Sequence, residues 1–80
     1  MLDAVVVGRV IQQFRDKKKQ SQELVSGFAG IGRTHLSAIE RGERKPTLET
    51  LFRIADALGV RPSTIIAAIE EELEKSTPGF

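Results

Sequence analysis

Apolar residues recur along this chain at helical spacing in five stretches separated by polar or glycine-containing breaks. Val7, Val10, Ile11 and Phe14 form the first stripe and predict a helix over residues 4–18, with Asp3 as its N-cap. Three successive valines at 5–7 would also suit a strand, but the 7-10-11-14 spacing favours a helix. Val25 and Ala29 lie one turn apart in a second segment over 22–28, capped by Ser21. Leu36 and Ile39 mark a third, starting at Gly32. Gly30 stands between these two, where the backbone must turn with positive φ, and Ile31 follows as an apolar plug. Thr47 is the expected cap of a fourth helix, which buries Leu48, Leu51, Ile54, Ala55 and Leu58 and stops at Gly59. Pro62 opens a fifth helix that continues to about residue 74, with Ser63 expected as cap in place of Arg61. Residues 76–80 are expected to be a disordered tail, leaving 1–75 as one all-α, five-helix domain.

The third segment turns Arg33, Thr34, Ser37 and Ala38 away from Leu36 and Ile39. A helix with a small, polar, partly basic outer face suits the major groove of duplex DNA.

The stretch from Ser21 to Gly42 resembles the helix-turn-helix of the Cro and lambda-type repressor family, also called the XRE family. The resemblance rests on Ser21-Gln22-Glu23, on Gly30-Ile31, and on Leu36-Ser37 with Ile39-Glu40-Arg41-Gly42. It continues through Pro46-Thr47-Leu48-Glu49-Thr50-Leu51 and Ala55-Asp56-Ala57-Leu58-Gly59-Val60, covering roughly residues 7–66 without a gap. It implies a lambda-repressor-like fold with helix 3 as the recognition helix and double-stranded DNA as partner. Gln22 would approach a phosphate and brace that helix. Arg33 and Thr34 are the expected base readers, since arginine can donate twice to guanine and the threonine methyl can touch thymine. Gly32, Ser37 and Ala38 complete that surface, and His35 either meets a phosphate or packs on helix 2. Arg41, Arg44 and Lys45 are the expected phosphate contacts. Arg15 and Glu40 match a family ion pair tying helix 1 to helix 3, which also keeps Arg15 near the DNA backbone. The chain departs from the family at Lys19 and Gln20, where a glycine and a leucine are usual.

Composition narrows the alternatives. The 80 residues include no cysteine and one histidine, so neither a disulfide framework nor a metal site is indicated, and no cofactor is called for. No nucleophile–base set or phosphate-binding glycine loop supports an enzyme. No run approaches a membrane span and no signal peptide is apparent, so a cytoplasmic location is expected. The net charge of +1 divides into +4 over residues 1–61 and −3 over 62–80. Attraction to phosphate therefore belongs to the first part, and the acidic end should face away from DNA.

Some apolar residues have no place in the expected core. Leu2, Val5 and Val6 fall off the stripe of helix 1. Ile66 fits the family's core position, whereas Ile65, Ile69 and Leu73 continue a second stripe. Two-fold pairing through these six would give a homodimer with recognition helices about 34 Å apart, on a near-palindromic operator. Alternatively, the last helix folds back and its stripe completes the monomer core. The expected function is a sequence-specific transcriptional regulator, with a bare architecture similar to restriction–modification controllers and short phage repressors. A second reading is an antitoxin-like or adaptor module whose main partner is another protein.

Overall fold

The computed structural model describes residues 2–75, so the expected tail at 76–80 lies outside the described residues. Five helices follow in order: α1 (Ala4–Lys17), α2 (Gln22–Ala29), α3 (Arg33–Glu40), α4 (Leu48–Leu58) and α5 (Pro62–Lys75). Among the described residues there is no strand, and no helix is long and apolar enough to cross a membrane. α2 packs on α3 and α4, α1 on α3 and α5, and α4 on α5. Val10, Ile11, Val25, Leu36, Ile39, Ile54 and Ile65 form the fully buried centre.

The helix starts are set by short polar side chains. Asp3 accepts from the Val5 N–H at 2.8 Å, Ser21 from Leu24 at 3.0 Å and Thr47 from Thr50 at 3.1 Å. The helix ends share a second device. After α2 the Gly30 N–H reaches the Gly27 carbonyl and the Ile31 N–H reaches Ser26; after α4, Gly59 and Val60 do the same to Asp56 and Ala55. This pair of bonds is the Schellman motif, and the residue after the glycine ordinarily packs back on the helix. Ile31 and Val60 do so, each partly buried against the core.

Four sequence expectations are corrected here. Val6 is 5% exposed and Ile65 and Ile69 are 0% and 6% exposed, so all three belong to the monomer core; Leu73 packs partly buried against it. The last helix therefore folds back. Ile65, Ala68, Ile69 and Leu73 fall on one face at helical spacing, and this leaves Ile66 about 100° away and 43% exposed. Val6 is buried because α1 has helices on two sides and needs a wider apolar arc than one stripe. Leu48 is 66% exposed, because a first-turn side chain leans back past the start of its helix. Arg61, not Ser63, occupies the cap position of α5, and its carbonyl accepts from Thr64 at 2.9 Å.

The departure at Lys19 and Gln20 has a visible consequence. α1 also ends in a Schellman pair, Lys19 N–H to Asp16 and Gln20 N–H to Arg15, with Lys19 at φ 55°. Gln20 thus takes the place that Ile31 and Val60 fill elsewhere, and its Oε1 is buried without a hydrogen-bond partner. Gln20→Leu should raise stability by about 1–2 kcal/mol, since an unsatisfied buried polar atom costs that much. An unchanged or lowered urea midpoint would refute this account of the α1 end.

Candidate nucleic-acid interface

The turn between α2 and α3 consists of Gly30, Ile31 and Gly32. Gly30 adopts φ 70° and ψ 31°, a left-handed conformation that costs a Cβ-bearing residue about 1 kcal/mol or more. Gly32 is the N-cap of α3 and provides no side-chain cap, which leaves the first N–H groups of α3 open.

The outer side of α3 and the start of α2 form one shallow concavity lined by Gln22, Arg33, Thr34, Ser37 and Arg41. Arg33 and Thr34 are exposed; Ser37 and Gln22 are half-buried. His35 is half-buried and outside this concavity. Ala38 is corrected from the expected reading surface: it is 8% exposed, because the chain after α3 folds over it and the Glu43 N–H binds its carbonyl at 2.9 Å.

Behind the concavity Glu40 fixes the orientation of α3. Its side chain is 3% exposed. Arg15 donates from Nε to one carboxylate oxygen at 2.7 Å and from Nη2 to the other at 2.9 Å; Gln22 Nε2 donates to the second at 2.9 Å. Arg15 Nη1 donates to the Gln20 carbonyl at 2.9 Å. One carboxylate thus joins α1, the start of α2 and the end of α3. The hydrogen bonds that Arg15 donates to Glu40 raise its pKa further, so the guanidinium stays charged. The Arg15 side chain is only 13% exposed and engaged on three nitrogens, which makes it a brace rather than an open DNA contact. Gln22 performs the bracing expected of it.

Sequence reasoning missed Gly8. A Cβ there would overlap the Ile39 carbonyl oxygen and lie 2.8 Å from that of Glu40. α1 therefore crosses the last turn of α3 at backbone contact. A glycine inside an apolar helical stripe was the available signal, since such a glycine marks close approach.

The loop after α3 carries the remaining cations. Arg41 donates to Glu43 from Nε at 2.8 Å and from Nη2 at 3.1 Å, and from Nη1 to Ser37 Oγ. These bonds, then the charge of Arg41, hold the Glu43 carboxyl below the usual carboxylate range. Arg44 is exposed, and Lys45 is exposed with Nζ 3.3 Å from the Leu2 carbonyl.

Five helices and no strand among the described residues, with a polar and basic groove along the third helix, define a helix-turn-helix DNA-binding protein. The helix-turn-helix family model matches residues 11–65, and the chain belongs to this family, the XRE class of DNA-binding transcription regulators. Its members are regulators, not enzymes. The chain is 36% identical over 66 residues to the uncharacterized HTH-type transcriptional regulator y4dJ of Sinorhizobium fredii, covering 82% of this chain and 86% of that one. It is 35% identical over 63 residues to control protein C.BamHI of Bacillus amyloliquefaciens, covering 78% of each. The crystal structure of the restriction-modification controller protein C.AhdI from Aeromonas hydrophila superposes with a TM-score of 0.77 at 29% identity, over 81% of this chain and 98% of that one. The wild-type controller C.Esp1396I gives 0.84 at 28% identity, over 94% and 97%.

Proposed function

We propose that this protein is a sequence-specific regulator that binds a near-palindromic operator in double-stranded DNA as a homodimer. The observation that carries this reading is the concavity of Gln22, Arg33, Thr34, Ser37 and Arg41 on a recognition helix braced from behind by Glu40. Arg33 and Thr34 read base edges; Arg41, Arg44 and Lys45 hold phosphates. Similarity to control proteins such as C.BamHI supports a role in regulation.

Support for the dimer comes from large apolar side chains left in water. Leu2 and Val5 at the start of α1 are 47% and 49% exposed, and Ile66 on α5 is 43% exposed. Leu24, Phe28, Leu48 and Phe52 on α2 and α4 are exposed as well. With Val6, Ile65 and Ile69 inside the monomer, we assign two-fold contact to Leu2, Val5 and Ile66 because α1 and α5 pack side by side.

Selection of bound sites from random duplex DNA at fixed salt tests the proposal. The enriched sequence should contain two inverted half-sites about 10 base pairs apart, centre to centre. Arg33→Ala should cost about 1–3 kcal/mol on that site and relax preference at one base pair per half-site. No enriched sequence would end the sequence-specific reading; a lone asymmetric half-site would end the dimer. An equal loss on every sequence would make Arg33 a phosphate contact.

A further inference from the structure

The acidic residue in the loop after α3 stands out against the ends of α2 and α4. α3 closes with the same Schellman pair as α2 and α4: Gly42 N–H to Ile39 at 3.0 Å and Glu43 N–H to Ala38 at 2.9 Å. In α2 and α4 the following residue is Ile31 or Val60, packed on the core. At α3 it is Glu43, whose side chain is 59% exposed. The backbone motif sets Glu43 back over Arg41, and the two meet fork to fork through both carboxylate oxygens. That is the geometry in which arginine binds a phosphate. The third guanidinium nitrogen rests on Ser37 Oγ, so Arg41 lies along α3 inside the concavity.

We propose that Glu43 is a specificity determinant, an internal stand-in for phosphate that withholds Arg41 from non-operator DNA. This rests on the DNA-binding reading above. An exposed ion pair contributes about 0–1 kcal/mol to stability, so the fold has little need of this one. Its effect on binding is different. Non-specific affinity comes from phosphate contacts, and a cation that must first give up its carboxylate adds less to a loose, screened complex. On the operator, Arg33 and Thr34 seat α3 deeply enough to press a phosphate against the Arg41 fork and displace the carboxylate. Glu43 thereby lowers non-operator binding more than operator binding.

The test is salt titration of binding to operator and non-operator duplexes by wild type, Glu43→Gln, Arg41→Ala and the double variant. Glu43→Gln should bind non-operator DNA more tightly, with a salt slope steeper by about 0.9. Its advantage there should shrink about 3.5-fold between 50 and 200 mM salt, the consequence of one additional phosphate contact. The gain should be smaller on the operator and vanish in the Arg41→Ala background. An unchanged slope, an equal gain on both DNAs, or a gain that persists without Arg41 would each overturn the proposal. The last result would reduce Glu43 to a simple repulsive charge. All three leave the DNA-binding reading standing, because wild type would still select its site; a wild type that binds no DNA ends both.

Discussion

Replacing Gly8 by alanine is expected to destabilise the domain by about 2 kcal/mol. Helix propensity alone forecasts the reverse, a gain of about 1 kcal/mol for alanine in a helix interior. The difference lies in what the new methyl group would meet. The Ile39 and Glu40 carbonyl oxygens occupy the space, and backbone atoms of a packed helix cannot rotate aside as a side-chain tip can. α1 would have to retreat from α3, opening the contact on which Val7, Ile11 and Ile39 depend. Overpacking of this kind costs about 1–3 kcal/mol and occasionally more, in a domain whose size allows little reserve. The urea midpoint of Gly8→Ala, compared with an alanine at exposed Gly27, measures the effect. Equal stability of the two variants would mean that α1 does not cross α3 at this point.

Glu40→Ala should be comparably severe, near 3 kcal/mol. The variant leaves the Arg15 guanidinium, in a side chain 13% exposed, without its carboxylate, and leaves the Gln22 amide without its acceptor. Removing one member of a buried pair strands the other charge, which is worse than removing both. Arg15→Met with Glu40→Leu should therefore recover most of the lost stability. Operator binding should not recover with it, because Gln22 and α1 would no longer hold the end of α3 in register with the groove. A double variant that regains both stability and affinity would show that α3 needs no polar brace.

The features legible in the sequence were those with a local mechanism. Asp3, Ser21 and Thr47 start helices because a short oxygen-bearing side chain can reach an N–H two or three residues on, a relation contained within four consecutive residues. Gly30 and Gly59 end helices for an equally local reason. What escaped depends on neighbours distant in the chain. Ile65 and Ile66 are adjacent and equally apolar, and only the positions of α1 and α4 decide which of them faces inward. Ala38 lies on the outer side of α3 by periodicity and is covered only because the Schellman closure brings residue 43 back over it. Gly8 is required by its contact with the far end of α3, a neighbour distant in the chain. The Arg15–Glu40 pair was expected from the family resemblance, whereas the share of Gln22 in the same carboxylate came from the structure.

The division of labour along α3 bears on how such a regulator could change its target. Glu40 holds the helix from the inner side, while the side chains of Arg33 and Thr34 are exposed and take part in none of the hydrogen bonds that maintain the brace. Substitutions at exposed positions of this kind usually move stability by no more than about 0.5 kcal/mol. Residues 33 and 34 can therefore drift through many side chains while the scaffold keeps its fold. With residues 33 and 34 reading base edges as proposed, a duplicated copy of the gene would acquire a new operator by one or two such exchanges and remain folded at every intermediate, a short mutational path to a separate regulatory circuit.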